Sequence, residues 1–421
     1  MLILVAACAA PLESAAPTAP GMGSPIASAG QLAATNAAQN SPAVPTATPK
    51  PLIATPTPSE ASAAPPYATR WKALGTALNV ANETLAWSTD GAHLVVSRNE
   101  TNGPPEDQFI DVFDADGNLV QTHQGYDEAQ WLDDQTLVMT AWKRGQGGSI
   151  DYGKGYQARG QSFIVTLGSD PQPIAVDLAG GVSSGHGAIA FETDKGTAVW
   201  TAEEGVSAWT TDSYPERWSL DGTRLDIEHP VGHPGESWPQ IVTWPGLSTI
   251  ASDEAVLYRK GEGAINLDLT MSATWEWSAD VNDPSPVNAQ IIDLDSGAKT
   301  PLNFVAPPGL PIWGRTDLVV SGDKGGDTVA YAPDGSAIGR WPGLTGDLTV
   351  SRDGLSIVFT NEESQTTLIA VLRDGHVVRT VPPGKDIDGV YSNKISPDGS
   401  RLAVVCISGF NQETAYLTKL D

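Results

Sequence analysis

The chain has 421 residues, with 24 Lys+Arg against 50 Asp+Glu and a formal charge of −26. Only 18% of residues are charged, so the acidity reflects a shortage of bases, and a surface of this sign disfavours nucleic acid and anionic lipid headgroups as partners. Gly (43) and Pro (32) are abundant, Trp reaches 13, and no stretch of 18 apolar residues follows the N-terminus.

The chain opens MLILVAAC, an apolar run ending in small residues directly before Cys8. Leu4, Val5, Ala6, Ala7 and Cys8 resemble the lipobox of bacterial lipoproteins. The resemblance implies cleavage of residues 1–7, a signal-peptide remnant, and lipidation of the Cys8 thiol. Seven residues without a base are too few for a secretory signal, so either the true start is expected upstream or the chain is a fragment. The only other cysteine, Cys406, lies in the apolar run LAVVCIS and is expected to be a buried small hydrophobe with no disulfide partner.

Residues 8–67 read as a disordered linker. Of the 59 residues from 9 to 67, 44 are Ala, Pro, Ser, Thr or Gly, and only Glu13, Lys50 and Glu60 are charged. Scattered prolines forbid a continuous helix, and too few large apolar groups are present to offset the entropy of ordering. Every Trp lies at or after Trp71, which sets the start of the folded domain near residue 68, so that the domain runs 68–421.

From there helical periodicity is almost absent, and short apolar strands alternate with Asp-Gly, Gly-Asn and Pro-Gly turns. Four hairpins are alike: LAWSTDGAHLVVS from Leu85, RWSLDGTRLDI from Arg217, TVSRDGLSIVFT from Thr349 and KISPDGSRLAVV from Lys394. In each, Asp accepts hydrogen bonds from turn amides while Gly supplies a positive φ. Weaker copies are QWLDDQTLVMT from Gln130, SSGHGAIAFET from Ser183, IASDEAVLY from Ile250 and WGRTDLVVSG from Trp313. Their turns fall near residues 90, 134, 187, 221, 253, 315, 353 and 398, a mean spacing of about 44, which suits four-stranded propeller blades. These Trp-Ser-x-Asp-Gly-x-x-Leu units resemble those of TolB-like and related WD-repeat-like bacterial propellers, with Ser396–Gly399 nearest the consensus. The expected fold is therefore all-β: a propeller of seven or eight four-stranded blades. Residues 71–80 are expected to supply the outer strand of the last blade, and the stretch 238–303 fits the repeat worst. Trp87, Trp131 and Trp218 occupy equivalent first-strand positions, which points to packing between blades.

The resemblance implies that the Asp-Gly turns share one face and that ligands bind at the opposite one. The loops assigned to that opposite face are 99–107, 143–160, 229–238, 260–286 and 361–366. The second is basic in an acidic protein, with Lys143, Arg144, Lys154 and Arg159 interleaved with Tyr152 and Tyr156, and reads as a recognition patch for an acidic or glycan partner. His229, His233 and Trp238 are further binding candidates. Pro230 and Pro234 exclude the helix that would turn the two histidines into a zinc pair. Several look-alikes are set aside. DADGN at 114–118 lacks the Glu that a calcium loop needs at its twelfth position, which here is Gly125. GVSSG at 181–185 opens a β unit, so it cannot be a nucleophile elbow. His93, His123, His186 and His376 lie in or beside turns.

The expected function is a lipid-anchored, extracytoplasmic binding or scaffold module of the cell envelope, monomeric, without cofactor or metal, taking a protein or glycan through its loop-rich face. The alternative is an extracytoplasmic glycan-acting hydrolase or lyase with carboxylates in the central funnel. Two buried carboxyls with raised pKa lying close together would favour that alternative.

Overall fold

The computed structural model describes residues 71–420, apart from 79–84, 100–107, 142–160, 231–236, 252–262, 279–285, 303–307, 314–316, 323–326, 343–347, 352–356, 361–367, 372–376, 381–386, 409–411 and positions 179, 209, 211 and 247. Cys8, Lys143, Arg144, Tyr152, Lys154, Tyr156, Arg159, His233 and His376 therefore lie outside the described residues.

Thirty-two strands follow one another with no helix among the described residues. They are β1 (Lys72–Leu78), β2 (Leu85–Trp87), β3 (His93–Asn99), β4 (Gln108–Asp114), β5 (Leu119–Gln124), β6 (Glu128–Trp131), β7 (Thr136–Ala141), β8 (Gln161–Thr166), β9 (Gln172–Pro173), β10 (Val182–Ser183), β11 (Ala188–Thr193), β12 (Gly196–Thr201), β13 (Gly205–Ala208), β14 (Tyr214–Trp218), β15 (Arg224–Pro230) and β16 (Ser237–Thr243). The second half holds β17 (Thr249–Ala251), β18 (Gly263–Ile265), β19 (Met271–Trp277), β20 (Pro286–Asp293), β21 (Lys299–Pro301), β22 (Pro308–Trp313), β23 (Leu318–Gly322), β24 (Thr328–Tyr331), β25 (Ala337–Trp341), β26 (Leu348–Val350), β27 (Ile357–Thr360), β28 (Leu368–Val371), β29 (Val377–Thr380), β30 (Ile387–Ile395), β31 (Arg401–Ser408) and β32 (Gln412–Lys419).

They form eight antiparallel four-stranded sheets, so the blade number is eight. Seven sheets are sequential meanders, from β2–β5 to β26–β29. The eighth runs β30, β31, β32 and then β1, so the N-terminal strand closes the last blade as expected. First strands of successive blades touch around the ring: β2 meets β6, β6 meets β10, β10 meets β14, β18 meets β22, β22 meets β26, β26 meets β30, and β30 returns to β2. Between β14 and β18, Arg217 Nη2 donates to the Ile265 carbonyl at 2.8 Å.

The core lies between blades. Val95, Ile110 and Val112 of the first blade pack on Trp131, Leu137 and Met139 of the second, and similar clusters recur around the ring. A middle strand is covered on both faces, which is why β12, GTAVWT, is buried along nearly its whole length while the outer strand β5 is mostly exposed. Cys406 is part of one such cluster, and burial pushes its thiol up to about 12.

The recurring turn has one geometry. Ser88 Oγ donates to Asp90 Oδ1 at 2.7 Å, Asp90 Oδ1 accepts the Ala92 amide at 2.9 Å, and the His93 amide donates to Ser88 Oγ at 2.9 Å. Gly91 sits at φ 71°, and Ser219–Asp221–Gly222 and Ser396–Asp398–Gly399 repeat the pattern. Burial pulls the Asp221 carboxyl upward, but hydrogen bonds from Thr223 and Ser219 outweigh it and hold the pKa below the usual value. The first-strand tryptophans link the blades as expected. Trp87, Trp131 and Trp218 donate Nε1 to the carbonyls of Lys394, Ala86 and Val182 in the preceding blade, at 3.2, 3.0 and 2.9 Å.

Two sequence readings need correction. The fifth unit does not turn near residue 253: Thr249–Ala251 is the outer strand of the fourth blade. The fifth blade turns instead at Asn266–Leu269, where Asn266 Oδ1 accepts the Thr270 and Met271 amides at 2.8 and 2.9 Å and so replaces the serine hydroxyl. Leu269 occupies the glycine position at φ 53°. Consequently 260–286 is not one loop, since it contains β18 and β19. Leu269 is fully buried against Ile241, Ile265 and Leu294, which explains a leucine in a strained conformation. Truncating such a leucine costs about 2–5 kcal/mol, whereas glycine keeps the left-handed conformation without the Cβ penalty of about 1–2. Leu269→Gly is therefore expected to destabilise by about 2 kcal/mol in denaturant unfolding, and a stabilised variant would show that backbone strain dominates.

Candidate functional site

In a four-stranded antiparallel meander, the first-to-second and second-to-third connections leave from opposite ends. The Ser-x-Asp-Gly turns and the third-to-fourth hairpins, such as the one at Asp114–Asn118, define a turn face. Second-to-third connections and blade-to-blade crossings define the opposite connection face. Residues 142–160 join β7 to β8 there, and residues 231–236 join β15 to β16.

The fourth blade places a cluster of ionisable groups on the strands that reach this face. Tyr214 pairs with Glu228 and Arg217 with Asp226, and the register shifts between Pro215 and Arg217. Glu216 is the extra residue of that bulge, and such irregularities re-aim side chains. Glu216 is an exposed residue whose carboxyl is partly screened from water; this burial and Glu228 raise its pKa, with Arg217 opposing. Tyr214 donates its hydroxyl to Glu228 Oε2 at 2.6 Å. Asp226 is 1% exposed, and neither of its carboxylate oxygens accepts a hydrogen bond among the described residues. Arg217 Nε stands 3.5 Å from Asp226 Oδ2, long for a hydrogen bond. Burial raises the Asp226 pKa to about 7; Arg217 opposes the rise, while Glu228 and Glu216 add to it.

His229 and Trp238 are cross-strand partners in the same blade, so the structure does bring these two predicted residues together. Strand alternation puts His229 on the same side as Leu225 and Ile227, which pack on the third blade, whereas Asp226 shares its side with Ile241, which packs on the fifth. The histidine and the carboxylate cluster thus lie on opposite faces of one sheet. His229 Nε2 lies 2.8 Å from Gln240 Oε1, and Gln240 donates Nε2 to Thr249 Oγ1 at 2.7 Å. His229 and Pro230 belong to β15, not to a loop. Among the described residues, no group of three or more His, Cys, Asp or Glu side chains is placed to hold a metal ion.

Other sequence features are structural. The DADGN turn is a hairpin in which Asp114 Oδ1 accepts the Asp116 and Asn118 amides at 2.9 and 2.8 Å. Ser183 of GVSSG lies on β10 and donates its hydroxyl to the Trp131 carbonyl. Trp275 is a core residue, and the partly buried Trp244 meets Trp218 edge-on at 5.9 Å. His123 is not beside a turn: it is buried on β5, where burial lowers its pKa against the pull of Asp170. On the innermost strand of the second blade, burial raises the Glu128 pKa; the Gly180 amide opposes the rise and Asp127 adds to it. A polar groove of about 580 Å³ runs along β8 and β9, lined by residues that include Thr166, Ser169, Asp170 and Gln172.

No family model matches the sequence, and no curated protein matches it either. Among solved structures 811 chains match, including a crystal structure of the eukaryotic initiation factor. That structure is 9% identical, with a TM-score of 0.48 over 81% of this chain and 87% of the other. Neither figure carries a functional assignment, since propellers host many unrelated activities.

Proposed function

We propose that this chain is a lipid-anchored, extracytoplasmic propeller that binds a protein or glycan partner through its connection face. One observation carries the reading: eight closed blades send every second-to-third connection and every crossing to a single end. One of these connections carries Lys143, Arg144, Tyr152, Tyr156 and Arg159 in a chain of net charge −26. Basic groups interleaved with tyrosines suit an acidic or glycan surface. The lipobox resemblance around Cys8 and the TolB-like turns support an envelope address. The test is co-purification from the protein's own membranes, comparing the full chain with one lacking 145–157. A stoichiometric partner that disappears with the deletion is the expected result, and a partner retained equally by both chains contradicts the face assignment. Fatty-acid label present on the full chain and absent from Cys8→Ser is expected in the same membranes.

The enzymatic alternative draws on the raised carboxyls of Glu216 and Asp226. Asp226 presents no surface to a substrate, and the half-buried Glu228, the other carboxyl of this cluster, accepts the Tyr214 hydroxyl at 2.6 Å. Glycan cleavage by the purified chain, lost in Glu216→Gln, would establish that reading instead.

A further inference from the structure

The junction between the fourth and fifth blades carries a charge that the repeat does not require. In every blade, the residue just before the first-strand Trp position has a cross-strand partner on the second strand. That partner is Val95, Val138, Val319 or Val358 in four blades and Ala190, Ala273 or Ala403 in three. In the fourth blade it is Asp226. A carboxyl thus stands where seven equivalent positions are apolar, and it is 1% exposed.

Its surroundings define how it responds to protons. From β14, Arg217 reaches Asp226 at 3.5 Å while its Nη2 holds the Ile265 carbonyl of the fifth blade at 2.8 Å, and Glu216 adds a like charge. On β15, Glu228 and Arg224 share the same side; Arg224 bonds the Leu269 carbonyl and Asp295 of the fifth blade at 3.1 and 3.0 Å. β16 contributes Ile241, and the fifth blade contributes Ile265, Leu269 and Leu294. A neutral carboxyl fits this apolar seam. An ionised one has Arg217 at 3.5 Å, which already holds the Ile265 carbonyl, to set against burial and two further carboxylates, so it is accommodated by drawing in water or by pulling Arg217 off the fifth blade.

We propose that this seam is a proton-operated latch: with Asp226 protonated, blades four and five are held together through Arg217 and Ile265, and ionisation of Asp226 loosens them. The carboxyl titrates at about 7 in the folded chain and near 3.8 when free. Between those values the folded chain binds the extra proton, so stability falls as pH rises from about 4 through about 7 and is level above. The latch therefore works within the physiological range.

Hydrogen–deuterium exchange of the full chain at pH 6 and pH 8, corrected for intrinsic rates, tests this. Amides of β14, β15 and β18 are expected to lose at least tenfold protection at pH 8 relative to the other blades. Asp226→Asn, a neutral mimic of the same shape, should abolish that difference, as should Asp226→Val, which restores the residue type of the other blades. Glu216→Gln should move the midpoint to lower pH. A wild-type chain with equal protection at both pH values overturns the latch, and so does the same tenfold loss in Asp226→Asn.

Discussion

Deleting residues 71–79 from the full chain is expected to abolish cooperative unfolding of the propeller or lower its stability by on the order of 5 kcal/mol or more, a large part of the roughly 5–15 kcal/mol typical of a domain. β1 is the outer strand of the eighth blade, registered on β32 from Lys72↔Leu417 to Leu78↔Gln412. Leu74 is buried among Leu85, Leu94, Phe113, Val405 and Leu417, which joins the eighth blade to the first, and its burial alone is worth about 2 kcal/mol. Trp71 meets Tyr416 edge-on at 6.4 Å, and Lys72 Nζ donates to the Asp116 carbonyl at 3.1 Å and to Asn118 Oδ1 at 2.8 Å in the first blade. Without this strand β32 becomes an open edge able to pair with another chain. The deletion should therefore also show concentration-dependent association by light scattering. A deletion variant that melts like the full chain would mean that β1 does not close the ring.

Trp131→Ala should cost about 3–5 kcal/mol, and Trp131→Phe only about 1–2. The indole fills the space between the first two blades with Val95, Ile110, Leu137 and Met139, and its Nε1 donates to the Ala86 carbonyl at 3.0 Å. The alanine variant loses both contributions, while phenylalanine keeps most of the apolar contact and forfeits the hydrogen bond. Denaturant unfolding of the two variants separates packing from hydrogen bonding. Equal losses would put the whole effect on the hydrogen bond, against the packing account.

The repeats were legible because their turn is local chemistry. Serine, aspartate and glycine satisfy one another within five residues, so the sequence motif and the geometry coincide at Ser88, Ser219 and Ser396. The fifth blade escaped because Asn266 performs the serine's role and Leu269 accepts the glycine's backbone angle, a substitution sustained by tertiary burial that no local pattern reveals. Closure by β1 was legible for a different reason: a final unit with three strands left an edge needing a fourth. The carboxylate cluster was missed because it depends on register, with Glu216 placed by a bulge and Asp226 turned toward the fifth blade. A signal was nonetheless present. Aligned on their turns, RWSLDGTRLDI carries Asp226 where LAWSTDGAHLVVS carries Val95 and KISPDGSRLAVV carries Ala403. The expectations of a linker over 8–67 and of a basic recognition connection rest on composition and charge alone, properties that set no geometry.

Which face the partner occupies can be measured by attaching a maleimide-linked polyethylene glycol to a single introduced cysteine. Cys406 does not interfere, since its buried thiol stays protonated with a pKa of about 12, and Cys8→Ser removes the other native thiol from the bait chain. Lys195→Cys places the polymer at the exposed connection between β11 and β12, and Ser336→Cys places it on the exposed hairpin between β24 and β25 at the turn face. Partner capture from membranes should be lost with the polymer at 195 and kept with it at 336. Capture that survives at 195 and fails at 336 would contradict binding through the connection face.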